Sequence, residues 1–277
     1  MKTVGEILNA STAFLLSKKV DRSRRLAEEL LARALQMKRI DLYMQFDRPV
    51  VEKELEFIRI GIKRLIQGEP LEYILGEVEF YGCKIKVDRR VLIPRPETEL
   101  LIDHIAKRLR GSAAWDICTG SGYIGIALKK KFPHLSVTLS DLSADALALA
   151  TENALLNQVD VEILQGDLTL PFRGRKADLV AVNPPYVSRN EYDSLDPSVR
   201  DFEPEMALVG GGRGTEFFER LASELPPFLN PGAQLFLEIG ATQGQAVQNI
   251  FSSPIWRKRE LHSDWSGKDR FFFLEIQ

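Results

Sequence analysis

From about residue 110 onward the chain alternates short β-rich runs with amphipathic helical stretches. That alternation restricts the fold more than any other feature. Strands are predicted over 114–118, 135–140, 161–164, 179–182 and 234–239. Helices over 123–131, 144–156 and 215–225 lie between most of them, and a helix over 243–251 follows the fifth. Such a pattern gives a parallel sheet covered by helices on both faces, because each parallel crossover is made by a helix that buries one stripe against the sheet. The last two runs, 256–262 and 270–276, are joined only by 263–269. They must pair antiparallel, so one of them opposes the rest. The expected core is an α/β, doubly wound, mostly parallel seven-stranded sheet with its last strand antiparallel. Ligands of such sheets sit at the carboxyl ends of the strands.

Ahead of this core the sequence changes character twice. Residues 1–76 read as a small helical domain: Leu26, Leu30, Leu31 and Leu35 form one stripe, with Asp21 or Ser23 as candidate N-cap. Leu55, Ile58, Ile62 and Leu65 form another, which stops at Gly68 and Pro70. No glycine loop or titratable cluster falls here, and substrate recognition is its expected role. Residues 77–93 hold short β-rich runs broken by Gly82 and by Asp88-Arg89-Arg90, a β-hairpin connector. Pro94 and Pro96 then fix an extended entry into a helix at 100–109, the start of a catalytic domain over 94–277.

Composition removes several function classes. With 37 Lys plus Arg against 39 Asp plus Glu the net charge is −2, which argues against a stable nucleic-acid partner. Two cysteines, Cys83 and Cys118, and three histidines support neither a disulfide framework nor a metal cluster. No run approaches the ~18 apolar residues of a membrane span, and the Phe14-Leu15-Leu16 run is too short for a secretory signal. The expected setting is the reducing cytoplasm, and nothing demands more than a monomer.

Two motifs carry chemistry. Asp116-Ile117-Cys118-Thr119-Gly120-Ser121-Gly122-Tyr123-Ile124-Gly125 ends the first strand and opens a helix, and its glycines allow close approach of backbone to ligand. Asp141 closes the second strand, where a carboxylate accepts ribose hydroxyls. Asp167 closes the third, within reach of an adenine amine or simply in a turn. Together these strand ends describe a nucleoside pocket. A nicotinamide dinucleotide needs its pyrophosphate on the helix N-terminus. S-adenosylmethionine instead carries an ammonium, which Asp116 suits unless it hydrogen-bonds the turn amides. The fourth strand runs into Asn183-Pro184-Pro185-Tyr186. The lone pair of a planar NH2 group is delocalised, so the group is a poor nucleophile. The side-chain oxygen of Asn183 and the carbonyl of Pro184 can accept its two hydrogens, and Tyr186 offers a flat face for packing. Positioning and electrostatics then drive methyl transfer without a metal or covalent intermediate. The glycine-rich stretch 210–214 lacks a phosphate-loop ending and reads as a flexible connector.

The glycine turn with Asn-Pro-Pro-Tyr resembles the class I S-adenosylmethionine-dependent amino-methyltransferases. Leu92-Ile93-Pro94-Arg95-Pro96-Glu97-Thr98-Glu99, Gly68-Glu69-Pro70-Leu71-Glu72-Tyr73-Ile74-Leu75-Gly76 and Phe202-Glu203-Pro204 narrow the resemblance to the HemK/PrmC family. Those enzymes methylate the N5 amide of the glutamine in the Gly-Gly-Gln motif of peptide-chain release factors. The resemblance implies that Thr119, Gly120, Ser121, Gly122, Tyr123 and Asp141 hold the cofactor, and that Asp167 and Leu168 line the adenine. It implies that Asn183 contacts both cofactor and substrate, and that Asn183 through Tyr186 hold the glutamine amide. Arg95 and Glu97 would border the cleft. Cys118 departs from the pattern, standing where family members often have Gly. The competing reading is a nucleic-acid methyltransferase acting on adenine N6 or guanine N2.

Overall fold

A computed structural model describes residues 2–277, which fall into two units, 2–76 with Pro197–Phe202, and Glu77–Asp196 with Glu203–Gln277. The first is helical: α1 (Val4–Ser17), α2 (Ser23–Leu35), α3 (Asp41–Met44), α4 (Glu52–Ile66) and α5 (Leu71–Leu75). Thr3 and Glu6 cap α1 reciprocally, satisfying amides that the first turn leaves free. Neither Asp21 nor Ser23 caps α2. Its N-cap is Arg22 in the left-handed region, and the Ser23 hydroxyl donates back to Val20. Leu8, Leu15, Leu30, Leu31 and Leu42 are fully buried between the helices. Gly68, with φ +87°, ends α4. Among the described residues no helix is long and apolar enough to cross a membrane.

The second unit opens with a hairpin, β1 (Glu77–Phe80) and β2 (Cys83–Lys86). Asn153 and Asn157, one turn apart on a later helix, each exchange side-chain hydrogen bonds with the backbone of Lys86 and Lys84. The hairpin is thereby fastened to the sheet unit. There follow α6 (Glu99–Arg108), β3 (Ala113–Ile117), α7 (Tyr123–Lys131), β4 (Ser136–Asp141), α8 (Ala144–Leu156), β5 (Glu162–Gln165), β6 (Ala177–Val182) and β7 (Val187–Ser188). Next come three short helices, α9 (Arg189–Tyr192), α10 (Pro197–Arg200, in the first unit) and α11 (Glu205–Leu208). The chain ends with β8 (Val209–Gly211), α12 (Glu216–Glu224), β9 (Leu229–Glu238), α13 (Gly244–Ile250), β10 (Trp256–Ser263) and β11 (Asp269–Ile276).

Seven strands form one sheet in the order β10-β11-β9-β6-β3-β4-β5. β11 is antiparallel to both β9 and β10, and the β9-β6-β3-β4-β5 pairings are parallel, as the short final loop requires. β9 starts five residues earlier than its sequence suggests: Asn230-Pro231-Gly232 reads as a turn, but the ladder passes it with a register shift. Trp115, Ile117, Val180, Val182 and Leu235 face α12 and α13 through Phe218, Leu221, Val247 and Phe251. Asp116 points to the opposite face by the two-residue period, where Gly125 lets α7 approach. A Cβ there would lie 2.1 Å from Leu139 and 3.1 Å from Asp116.

Candidate active site

At the carboxyl end of β3 the chain turns through Cys118, Gly120 and Gly122, with φ of +58°, +55° and +82°. Asp116 clasps this turn from behind. Its Oδ2 accepts the Thr119 hydroxyl at 2.5 Å and the Gly125 amide at 2.8 Å. Its Oδ1 is buried without a partner, and burial pushes the carboxyl up to about 7. Of its two expected roles, ammonium partner or turn anchor, the geometry gives the second, and Asp116 does not line the cavity in front of it. Asp141 ties the neighbouring strand end to the same turn, accepting the Gly120 amide at 2.8 Å and the Ser143 amide at 3.0 Å on separate oxygens. Burial raises its carboxyl above the usual range. One N–H on each oxygen leaves lone pairs open to further donors.

The cavity lies over these strand ends. Gly120, Tyr123, Asp141, Asp167, Leu168, Asn183 and Pro185 line it, all residues singled out from the sequence. Thr119, Ser121, Gly122, Pro184 and Tyr186, also expected at the site, do not line it. Thr119 serves the clasp, and the Ser121 carbonyl accepts from Asn153 at 2.9 Å. Gly122 opens α7 where a Cβ would press on Ile126 and Ala150. Pro184 is buried. Tyr186 donates its phenol to the buried Glu238 at 3.3 Å. Asp167 lines the cavity but is forked onto Arg220 at 3.0 and 2.9 Å. Arg95 and Glu97 are not in the wall. Arg95 pairs with the buried Glu203 at 2.6 Å, which also accepts the Ile93 amide at 3.0 Å. That pair ties together the 90–92 and 204–207 segments, and both do line the cavity. Both motifs are visible in the sequence, but the pairing of Arg95 with Glu203, 108 positions apart, has no local signal.

The 210–214 stretch is not a flexible connector. Gly210 and Gly211 lie in β8, paired with β7. A Cβ on Gly210 would come 2.4 Å from the Pro185 carbonyl oxygen, and one on Gly214 (φ +79°) 2.4 Å from that of Tyr186. The glycines let two backbones touch, which clamps the Asn-Pro-Pro-Tyr loop from outside. Gln243 completes the clamp by donating to the carbonyls of Tyr186 and Gly214 at 2.8 and 3.1 Å.

The wall suits an adenosine-bearing cation. Ser140 Oγ is buried in it without a partner, and Asp141 has acceptor capacity to spare. A Cβ on Gly120 would meet no protein atom within 4 Å, so a ligand can approach the bare backbone there. Of the two carboxylates in the wall Arg220 already holds Asp167, and Asp88 and Glu152 hold Arg90, its one cation, so Asp141 is the charge left facing the cavity. This charge favours a sulfonium and an ammonium over a diphosphate. Burial and the nearby Asp141, Asp116 and Asp167 push the Cys118 thiol well up, so it is no nucleophile.

Fold and cavity together define an α/β methyltransferase. A family model described as "Methyltransferase small domain" matches residues 96–196, and one described as "PrmC N-terminal domain" matches residues 6–76. The release factor glutamine methyltransferase of Chlamydia trachomatis serovar L2 is 40% identical over 276 residues, 98% of this chain and 94% of the relative. That of Geobacter sulfurreducens is 38% identical over 269 residues, 97% and 95%. Among solved structures, a methyltransferase from Pyrococcus furiosus shares the fold with a TM-score of 0.54 at 17% identity, over 81% of this chain and 98% of that one. The chain belongs to the release factor glutamine methyltransferase family.

Proposed function

We propose that this chain methylates the side-chain amide nitrogen of the glutamine in the Gly-Gly-Gln motif of peptide-chain release factors, using S-adenosylmethionine. The cofactor, when bound, supplies an electrophilic methyl group on a sulfonium. Gly120, Ser140 and Asp141 would hold its nucleoside, with Asp167 and Leu168 beside the base and the Thr119–Tyr123 turn beneath. The observation that carries the reading is the Asn183 side chain in the cavity wall. Its Nδ2 is committed to the Tyr123 hydroxyl at 2.8 Å, which leaves Oδ1 as the free acceptor. With the Pro184 carbonyl it would take both hydrogens of a primary amide and raise electron density on the nitrogen, while Tyr186 packs the amide plane. No second copy of the chain is needed, so a monomer is the working unit. Residues 1–76 recognise the release factor, 77–93 connect, and 94–277 catalyse.

Adenine N6 and guanine N2 would use the same pair of acceptors. The near-neutral charge and the acidic wall favour the protein amide over a polyanion. The test is transfer of labelled methyl to a purified release factor, to the same factor with its Gly-Gly-Gln glutamine changed to alanine, and to RNA. Label on the first alone is expected. Asn183→Ala should then cost about 2–4 kcal/mol of transition-state stabilisation, roughly 30- to 1000-fold in turnover, by analogy with loss of an oxyanion-hole donor. Label confined to RNA would overturn the reading.

A further inference from the structure

The strand ends set an order along the carboxyl edge of the sheet. Asp167 follows β5, Asp141 ends β4, Gly120 follows β3 and Asn183 follows β6. The cofactor side therefore runs from β5 to β3, and the methyl acceptor enters at β6 or beyond it. Next along come the end of β9 and, because β11 runs the opposite way, the 264–268 loop that joins β10 to β11. The Ile239 amide donates to the Arg270 carbonyl at 2.8 Å, which pins the base of that loop beside β9. At about 4.8 Å per strand, β11 and β10 lie about 10–15 Å from β6. Arg270 bridges the gap: its Nη1 donates to the Tyr186 hydroxyl at 3.5 Å and its Nε to Asp264 Oδ2 at 3.3 Å. The loop stands on the acceptor side, braced against Asn-Pro-Pro-Tyr.

Backbone and one carboxylate close this loop. The buried side chain of Asp264 accepts the Ser266 and Lys268 amides at 2.9 and 3.1 Å. The Asp264 amide donates to the Lys268 carbonyl at 2.8 Å, and the Gly267 amide (φ +75°) to the Asp264 carbonyl at 3.0 Å. Each of these bonds is made by backbone or by Asp264, so the shape of the loop does not call for an indole at position 265. Trp265 nevertheless stands there 67% exposed, while Trp115 and Trp256 are buried. An indole left in water forgoes a large apolar burial. A partner recovers it at little ordering cost, because the loop is already closed. Tryptophan is also among the side chains most enriched at interface anchors.

We propose that Trp265 is an anchor for the release factor. It enters an apolar recess on the body of the factor beside the Gly-Gly-Gln loop, with an acceptor for the indole N–H, while the glutamine occupies the cavity. This rests on the reading of the substrate as a release factor and adds a contact on the sheet unit. The motif itself, three residues, extends at most about 11 Å, so it is the chain beyond the motif that meets the loop.

Trp265→Ala should raise KM for the intact release factor about tenfold, the effect of one lost anchor, with kcat and the calorimetric cofactor Kd within about twofold of the parent. The second readout needs no turnover. With 5-fluorotryptophan incorporated, the three tryptophans give three 19F resonances, and the one missing from Trp265→Phe belongs to Trp265. Unlabelled release factor, added with S-adenosylhomocysteine, should move this resonance and abolish its H2O–D2O solvent shift, with Trp115 and Trp256 as internal references. A KM unchanged in Trp265→Ala, or an unmoved Trp265 resonance in the complex, would overturn the proposal and leave the substrate reading standing. Absence of transfer by the parent protein would instead strike the substrate reading, and this contact with it.

Discussion

Cys118 holds a left-handed backbone, φ +58°, that glycine adopts at less cost. An L-residue there loses roughly 1–2 kcal/mol. Glycine forfeits about 0.5–1 kcal/mol through its looser unfolded chain, and it would also give up the packing of a half-buried thiol. Cys118→Gly should therefore stay within about 1 kcal/mol of the parent in denaturant unfolding. Cys118→Val puts a β-branched side chain into the same conformation and should lose about 1–2 kcal/mol, with weaker cofactor binding by calorimetry. Equal stability of the valine variant would show that the turn is not strained. The sequence marks Cys118 as a departure from glycine, yet it cannot give the sign of φ, nor the like strain at Leu168 (φ +45°). Asp141, Asp167 and Asn183 are legible because each ends a strand, and strand ends converge in this topology. The bond from Tyr123 to Asn183 spans 60 positions and the fork from Arg220 to Asp167 spans 53, and no local periodicity encodes such pairs.

The major strands and helices were legible because each is long enough to show its period. β7 and β8, with two and three residues, are too short to show one, which is why their glycines look like a linker. Helix α6 and strands β10 and β11 bring together three groups no local pattern connects. His104 packs 4.9 Å from His262 and 4.9 Å from Phe273, ring centre to ring centre. Burial first, then the charges of His262, Arg108 and Lys107, press the His104 imidazole from 6.5 down to about 4, with Asp103 alone opposing. The unfolded chain takes up this proton near pH 6.5, while the folded chain refuses it until about pH 4. Stability should be unaffected by His104 above that window and should fall as pH drops through it. His104→Phe should flatten the slope of unfolding free energy between pH 7 and pH 4.5. An unaltered slope would assign the acid sensitivity elsewhere. The imidazole faces other rings away from the cavity wall, in keeping with packing and not catalysis.

At the scale of the molecule the question is how a small cavity selects a large substrate. Gly-Gly-Gln offers one side chain and two bare backbones, far less than the roughly 800 Å² per partner of a stable protein interface. A second surface must contribute most of the contact. The helical unit is the candidate: its residues match the PrmC N-terminal model, and it exposes Ile40 and Met44 by 67% and 83% on and beside α3. Exposed aliphatic side chains of this size are what an interface core is made from. Ile40→Lys with Met44→Lys should raise KM for an intact release factor about tenfold, the loss expected from one or two apolar anchors. The same variant should leave kcat, and KM for a short Gly-Gly-Gln peptide, unchanged, because the peptide reaches only the cavity. The comparison is internal to one enzyme preparation, so a folding defect would lower both rates together and be seen as such. If neither substrate responds, Ile40 and Met44 are not part of the docking surface.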